Sequence, residues 1–224
     1  MEKLLIFSHV FCGVTVLILG MVNLLNRKGA KNHLLIGKIY VGAMWWICLS
    51  AALIISFYRF SGFLLVIAVL TFYSTFVGVR VLRRKQPGTE RWYDWLVAGL
   101  TAAFGISLFG YGIYRFYTVG GFDVFGLLCV IFGFITANAA LQDIRFFVQR
   151  HLTDKQWWLR QHIGAMGGSY IAAITAAAVQ NGNTFMPNGE YTWTLWLLPT
   201  LIGSPIISIA SRKHRKRRAL QAMG

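Results

Sequence analysis

Residues 4–33 read LLIFSHVFCGVTVLILGMVNLLNRKGAKNH, an apolar run over 4–25 followed by a turn that carries Arg27, Lys28 and Lys31. A bilayer core of about 30 Å is crossed by about 20 mostly apolar residues in a helix, so the run is long enough to span. The same pattern recurs over 34–57, 62–82, 93–115, 123–145, 158–180 and 192–211. The expected fold class is therefore all-α: a polytopic transmembrane bundle of seven helices, one domain over 1–211, with a basic cytoplasmic tail over 212–224. Because the first run follows Lys3 it resembles a signal peptide in outline. It has no small-residue cleavage site and six further runs follow, so it reads as the first helix.

Composition and charge agree. Hydrophobic residues make up 56% of the 224 and charged residues 13%, far from soluble averages. The net charge of +15 would suit a nucleic-acid groove, but the cations sit in short gaps between apolar runs, which is the pattern of membrane topology. With the N-terminus outside, 19 of the 22 Lys and Arg fall in cytoplasmic gaps and in the tail, leaving Lys3, Arg59 and Arg115 on the other side. The expected partner is the lipid bilayer, with a membrane-protein partner or a homo-oligomer as a further option and no nucleic acid. Cys12, Cys48 and Cys129 lie inside apolar runs without CxxC pairing and read as small buried hydrophobes.

Ionisable groups inside spans are expensive, so each is a candidate for function. His9 lies on helix one beside Cys12, Gly13, Val16 and Gly20. It reads either as part of a separate site or as a histidine hydrogen-bonded to a neighbouring helix. His33 at the mouth of helix two, His162 at the start of helix six, Asp143 at the end of helix five and His151 in the loop share one depth, and His9 belongs to the opposite surface. Asn138, Gln142 and Arg145 form a polar stripe on helix five, read as an interhelical network that an Asp143 salt bridge to Arg80 or Arg160 closes. Gly164, Gly168, Ala172 and Ala176 recur every fourth residue on helix six and would admit a neighbouring backbone. Gly105, Gly110 and Gly112 would loosen helix four, and Pro199 with Pro205 would kink helix seven.

Only His33 and His162 match in depth for bis-histidine haem ligation. A metal such as zinc would draw on the same two residues with Asp143 as third ligand or as the group that orients an imidazole. HExxH is absent.

Three phrases carry a resemblance: His9 with Gly13 and Gly20, KNHLLIGKIYVG over 31–42, and WWLRQHIGAMGGSYIAAITAAAVQN over 157–181. Together they resemble an uncharacterised bacterial family of multi-helix membrane proteins, a domain of unknown function with histidines on helices one, two and six. The resemblance covers nearly the whole chain and implies the bacterial inner (cytoplasmic) membrane. It directs attention to His9, His33 and His162 and implies no reaction.

The leading expectation is an inner-membrane protein with a histidine-based haem or divalent-metal site near the cytoplasmic face, serving redox or metal-assisted chemistry. One alternative is a small transporter or channel, with a helix seven broken at Pro199, Gly203 and Pro205 and a polar lining of Thr71, Tyr73, Ser74 and Thr75. The other is a non-enzymatic assembly or regulatory subunit.

The charge asymmetry makes a direct prediction about topology. A reporter active only in the cytoplasm should work when fused after Gly224 or within 83–88, and fail within 181–189. Cytoplasmic activity at 181–189 would overturn the seven-helix arrangement.

Overall fold

Hydrocarbon offers the backbone no hydrogen-bond partner, so an apolar run that enters it satisfies its own amides as a helix. The computed structural model describes residues 1–58, 61–86, 88–149, 156–186, 189 and 191–221, the side chains of Phe63 and 213–221 excepted. It is all α: α1 (Glu2–Leu25), α2 (Lys31–Phe57), α3 (Gly62–Arg80), α4 (Trp92–Val119), α5 (Val124–Gln149), α6 (Trp157–Gln180), α7 (Gly182–Phe185) and α8 (Thr194–Gln221). Six of these, α1, α2, α4, α5, α6 and the Thr194–Arg212 part of α8, are long and apolar enough to cross a membrane. These are the helices of an integral membrane protein. The apolar stretch described in α3, Leu64–Arg80, is shorter. The short α7 lies within the 181–191 connection that the sequence reads as a turn-rich loop. His151, Arg59, Arg150 and Lys155 lie outside the described residues.

The chain divides into two compact units, Met1–Val79 with Arg160–Gly224, and Arg80–Leu159. In the first unit, α1 and α2 form an antiparallel hairpin. Gly29 takes the turn between them with φ +80, a conformation most side chains resist. Val16, Tyr40 and Met44 are buried between the helices, with Met166, Tyr170 and Ala173 of α6 packed against them. Two tyrosines tie this core with polar contacts. The Tyr40 hydroxyl shares a buried 2.9 Å hydrogen bond with Ser169 Oγ, and the Tyr170 hydroxyl donates to Leu17 O at 2.9 Å. A Cβ at Gly20 would collide with the Tyr170 ring, so that glycine is the seat on which the ring lies.

The close contact between α6 and α8 differs from the one the sequence suggests. Gly164 has nothing within 4 Å of where a Cβ would be, and at Gly168 the nearest atom is Ser74 Oγ at 3.8 Å, an ordinary contact. Ala172 is buried, but the tight positions are one residue away from the expected stripe. Gly167 receives the Ile207 side chain, and Gly203 receives Ile171. Each helix thus presents a glycine and an isoleucine four residues apart, and each isoleucine fills the other helix's glycine seat. Spacing alone marks small residues at every fourth position. It does not say which of two adjacent glycines faces a neighbour.

In the second unit, α4 and α5 pack backbone to backbone. A Cβ at Gly105 would meet the Ala137 backbone, one at Gly112 would meet Gly126 O and Val130 N, and one at Gly133 would meet Phe109 N. Gly105 and Gly112 are therefore packing seats rather than loosening points, and only Gly110 faces open space. Gly120 ends α4 in the left-handed conformation. Asp123 then caps α5 by accepting from Gly126 N at 3.0 Å and Phe125 N at 3.3 Å. Arg115 Nε donates to the same carboxylate at 2.8 Å and holds its pKa below the usual carboxylate range. The helix expected to break at Pro199 and Pro205 is continuous: α8 runs through both. In a membrane span, neighbouring helices and local adjustment accommodate the carbonyls that proline leaves unpaired.

The seam predicts an order of sensitivity on α6. Gly167→Leu should lower thermal stability by about 1–3 kcal/mol through overpacking against Ile207, while Gly164→Leu changes it little. Equal stability of the two variants in thermal unfolding of the detergent-solubilised protein would reject the seam.

Candidate functional site

The first unit gathers its polar groups at the α1–α2 turn. Helix α1 ends at Leu25, and its last carbonyls lack intrahelical donors. Lys28 Nζ supplies them, donating to Asn23 O at 2.7 Å and Leu24 O at 2.8 Å. Loss of solvation there pushes the ammonium below the usual lysine range. Three residues after Ala30, the N-cap of α2, stands His33.

His162 reaches the same place from the start of α6. Its Nδ1 lies 2.7 Å from Gly78 O, a carbonyl in the last turn of α3. A carbonyl only accepts, so Nδ1 carries the proton and Nε2 keeps its lone pair. This is the arrangement in which a histidine serves as a ligand, one ring nitrogen pinned to a backbone oxygen and the other presented. Met166, one turn along, fills the space over Gly78. The His33 and His162 rings lie with centroids 6.5 Å apart and planes at 81°.

Around this pair the polar accounting does not close. His33 Nδ1, Asn23 Oδ1 and Asn26 Nδ2 are buried with no hydrogen-bond partner among the described residues. Such groups cost about 1–3 kcal/mol each when left unsatisfied, and three of them fall within eleven residues of sequence at this turn. The sequence singles out the histidines but not Asn23, Asn26 or Lys28. The available signal was two asparagines closing an otherwise apolar run.

His9 is elsewhere. Its Nδ1 lies 2.8 Å from Ser50 Oγ, near the far end of α2, and Trp46 Nε1 donates to the adjacent Ser8 Oγ at 3.2 Å. It is thus hydrogen-bonded to a neighbouring helix, at the end of the α1–α2 hairpin opposite His33.

Asp143 belongs to the second unit and is committed there. It is 4% exposed and pairs with Arg84 NH2 at 3.5 Å. Arg80 instead grips Asp94 with two hydrogen bonds, Nε to Oδ1 at 2.8 Å and NH2 to Oδ2 at 2.6 Å. Arg84 is itself 1% exposed and stacks over Phe147 at 4.6 Å. Among the described residues no group of three or more His, Cys, Asp or Glu could hold a metal ion. On α5, Asn138, Gln142 and Arg145 are exposed, and Asp143 beside them is buried in its pair with Arg84.

Comparison with family models, with curated proteins and with solved structures finds no match for this chain.

The Arg84–Asp143 pair makes a prediction by double-mutant cycle. Arg84→Met alone removes a counter-charge from a buried carboxylate and should cost about 3–5 kcal/mol. The double change with Asp143→Leu should recover most of that loss in thermal unfolding. Simple additivity of the two single changes would reject the pair.

Proposed function

We propose that the chain is a bacterial cytoplasmic-membrane protein with seven spans, the N-terminus outside and the C-terminus in the cytoplasm, that uses His33 and His162 as paired ligands to one haem iron. Three features support the topology: six spanning helices, the shorter apolar α3, and the 19 cations that alternate to one side. A 17-residue helix already reaches the lower limit for a span. The resemblance to the uncharacterised histidine-bearing family is part of the same proposal.

The observation that carries the site is the 6.5 Å separation of two imidazoles brought together from different helices. With a metal–nitrogen bond of about 2 Å and the ring centre about 1 Å further on, two imidazoles on opposite sides of one metal have centroids about 6 Å apart. Adjacent tetrahedral positions bring them to about 5 Å. The 6.5 Å separation is nearer to the opposed distance than to the adjacent one. A zinc hydrolase wants three protein ligands and an open position, and no such group of ligands occurs among the described residues. His162 Nε2 and His33 Nδ1 are the nitrogens free to ligate. Gly78 O orients the first ring, and Lys28 contributes positive charge beside the pair. Held by both histidines, a haem would supply electron transfer. The carrier alternative loses its broken helix, since α8 is continuous, and Thr75 Oγ1 of its supposed lining donates to Thr71 O at 2.8 Å.

The test is the haem absorbance band and metal content per mole of folded protein. His33→Ala and His162→Ala should each remove most of the cofactor, because losing one of two ligands disrupts the coordination. His9→Ala should leave it nearly intact. A parent protein without haem or metal after gentle purification and reconstitution would overturn the proposal, as would loss in the His9 variant alone.

A further inference from the structure

Helices α2 and α6 meet along a seam in a single register. His33 stands against His162, with ring centroids 6.5 Å apart, and the Tyr40 hydroxyl lies 2.9 Å from Ser169 Oγ. Both pairs join residues 129 positions apart in the chain, since Tyr40 lies seven residues after His33 and Ser169 seven after His162. The two helices therefore run parallel here, and the tyrosine contact is about two turns, or about 10 Å, deeper than the histidines. Met44 and Ala173 continue the same offset one turn further, and Ala173 packs against the core of Val16, Tyr40 and Met44. Steps of seven and four residues make the seam of a left-handed parallel helix pair.

We infer, on the reading of those two histidines as ligands of one haem, that Tyr40 and Ser169 are positioning residues for the pair: their hydrogen bond fixes the register that sets His33 opposite His162. Apolar side chains specify a register weakly in a membrane, because lipid replaces them at little loss when a helix slides. The other seam residues are Gly37 and Met44 on α2, and Met166 and Ala173 on α6, all apolar. Tyr40 and Ser169 are both buried. A slide by one turn, about 5 Å, would carry His33 past His162 and the Tyr40 hydroxyl away from its partner. One turn to either side of Ser169 lie Ala165, Met166, Ala172 and Ala173, none of which carries a hydroxyl to replace it. A buried hydroxyl without a partner is costly, so the pair opposes the slide as a single buried amide does in a coiled coil. The bond also has a direction. Ser169 Oγ donates to Met166 O at 2.8 Å, which commits its one proton, so Tyr40 is the donor between the two oxygens. Met166 lodges over Gly78, whose carbonyl orients His162, and the turn of α6 that receives the tyrosine thus adjoins the one that carries the ligand.

The experiment uses the full chain in lipid vesicles, with Cys12→Ala, Cys48→Ala and Cys129→Ala as background. With His33→Cys and His162→Cys added, a short bifunctional maleimide should join the two positions within one chain, and Tyr40→Phe should slow this by about three- to fivefold. Ser169→Ala should do the same, and the two changes together no more than either alone. Tyr170→Phe is the control: it removes a hydroxyl that bonds Leu17 O of α1 and should leave the rate in place. In the chain with both histidines, Tyr40→Phe should turn part of the bound haem from low to high spin in its EPR spectrum, as loss of one axial ligand does, while Tyr170→Phe should not. Equal crosslinking with and without Tyr40→Phe, or equal slowing by Tyr40→Phe and Tyr170→Phe, would overturn the inference, whether or not the parent binds haem. Crosslinking slowed by Tyr40→Phe alone, in a chain that takes up no haem, would overturn the haem reading and uphold the register.

Discussion

A polar group inside a helix that faces hydrocarbon has to find its partner within the protein, and this constraint organises the whole chain. Most of these groups are paired. Tyr40 meets Ser169, Tyr170 meets Leu17 O, His9 meets Ser50, Arg80 meets Asp94 and Arg84 meets Asp143. Each pair joins segments that apolar packing alone would leave free to slide, because lipid tails are as apolar as the helix surfaces they replace. The unpaired groups then stand out. Three of them, on Asn23, Asn26 and His33, lie at the α1–α2 turn, and this is where a reading of function begins.

The second constraint is distance. Helices bonded through short side chains must approach closely, and the chain meets this with glycine wherever two backbones or a backbone and a ring converge. Gly20 admits the Tyr170 ring, Gly78 admits Met166, and Gly105, Gly112 and Gly133 bring α4 and α5 into backbone contact. The Gly78 seat serves the site directly: with Met166 lodged over it, the start of α6 lies near enough for His162 to reach the Gly78 carbonyl. Packing and ligand geometry are one arrangement at this point. A larger residue at position 78 would displace Met166 and with it the histidine one turn away.

Much of this was legible in the residue order because bilayer thickness imposes a length and charge imposes a rhythm. The apolar runs predicted the spanning helices to within a few residues at most ends, as with 34–57 against Lys31–Phe57 and 158–180 against Trp157–Gln180. Depth along the helices separated His9 from His33 and His162, since position along a span follows from counting at 1.5 Å per residue. Rotation about each helix axis was not legible to the same degree. A residue's depth depends on its own segment, but the neighbour it faces depends on which helix lies beside it.

Several differences between expectation and structure are of that rotational kind. Gly167 rather than Gly168 faces a neighbour closely, and Arg84 meets Asp143 while Arg80 meets Asp94. One residue along a helix turns a side chain by about 100°, so adjacent positions of similar chemistry have different partners. The residue order by itself determined the apolar helices, their approximate lengths and the separation of His9 from His33 and His162. Only the tertiary structure decided which groups are joined, because a side chain's partner is chosen by the rotation and proximity of a second helix, and neither is encoded in the segment that carries it.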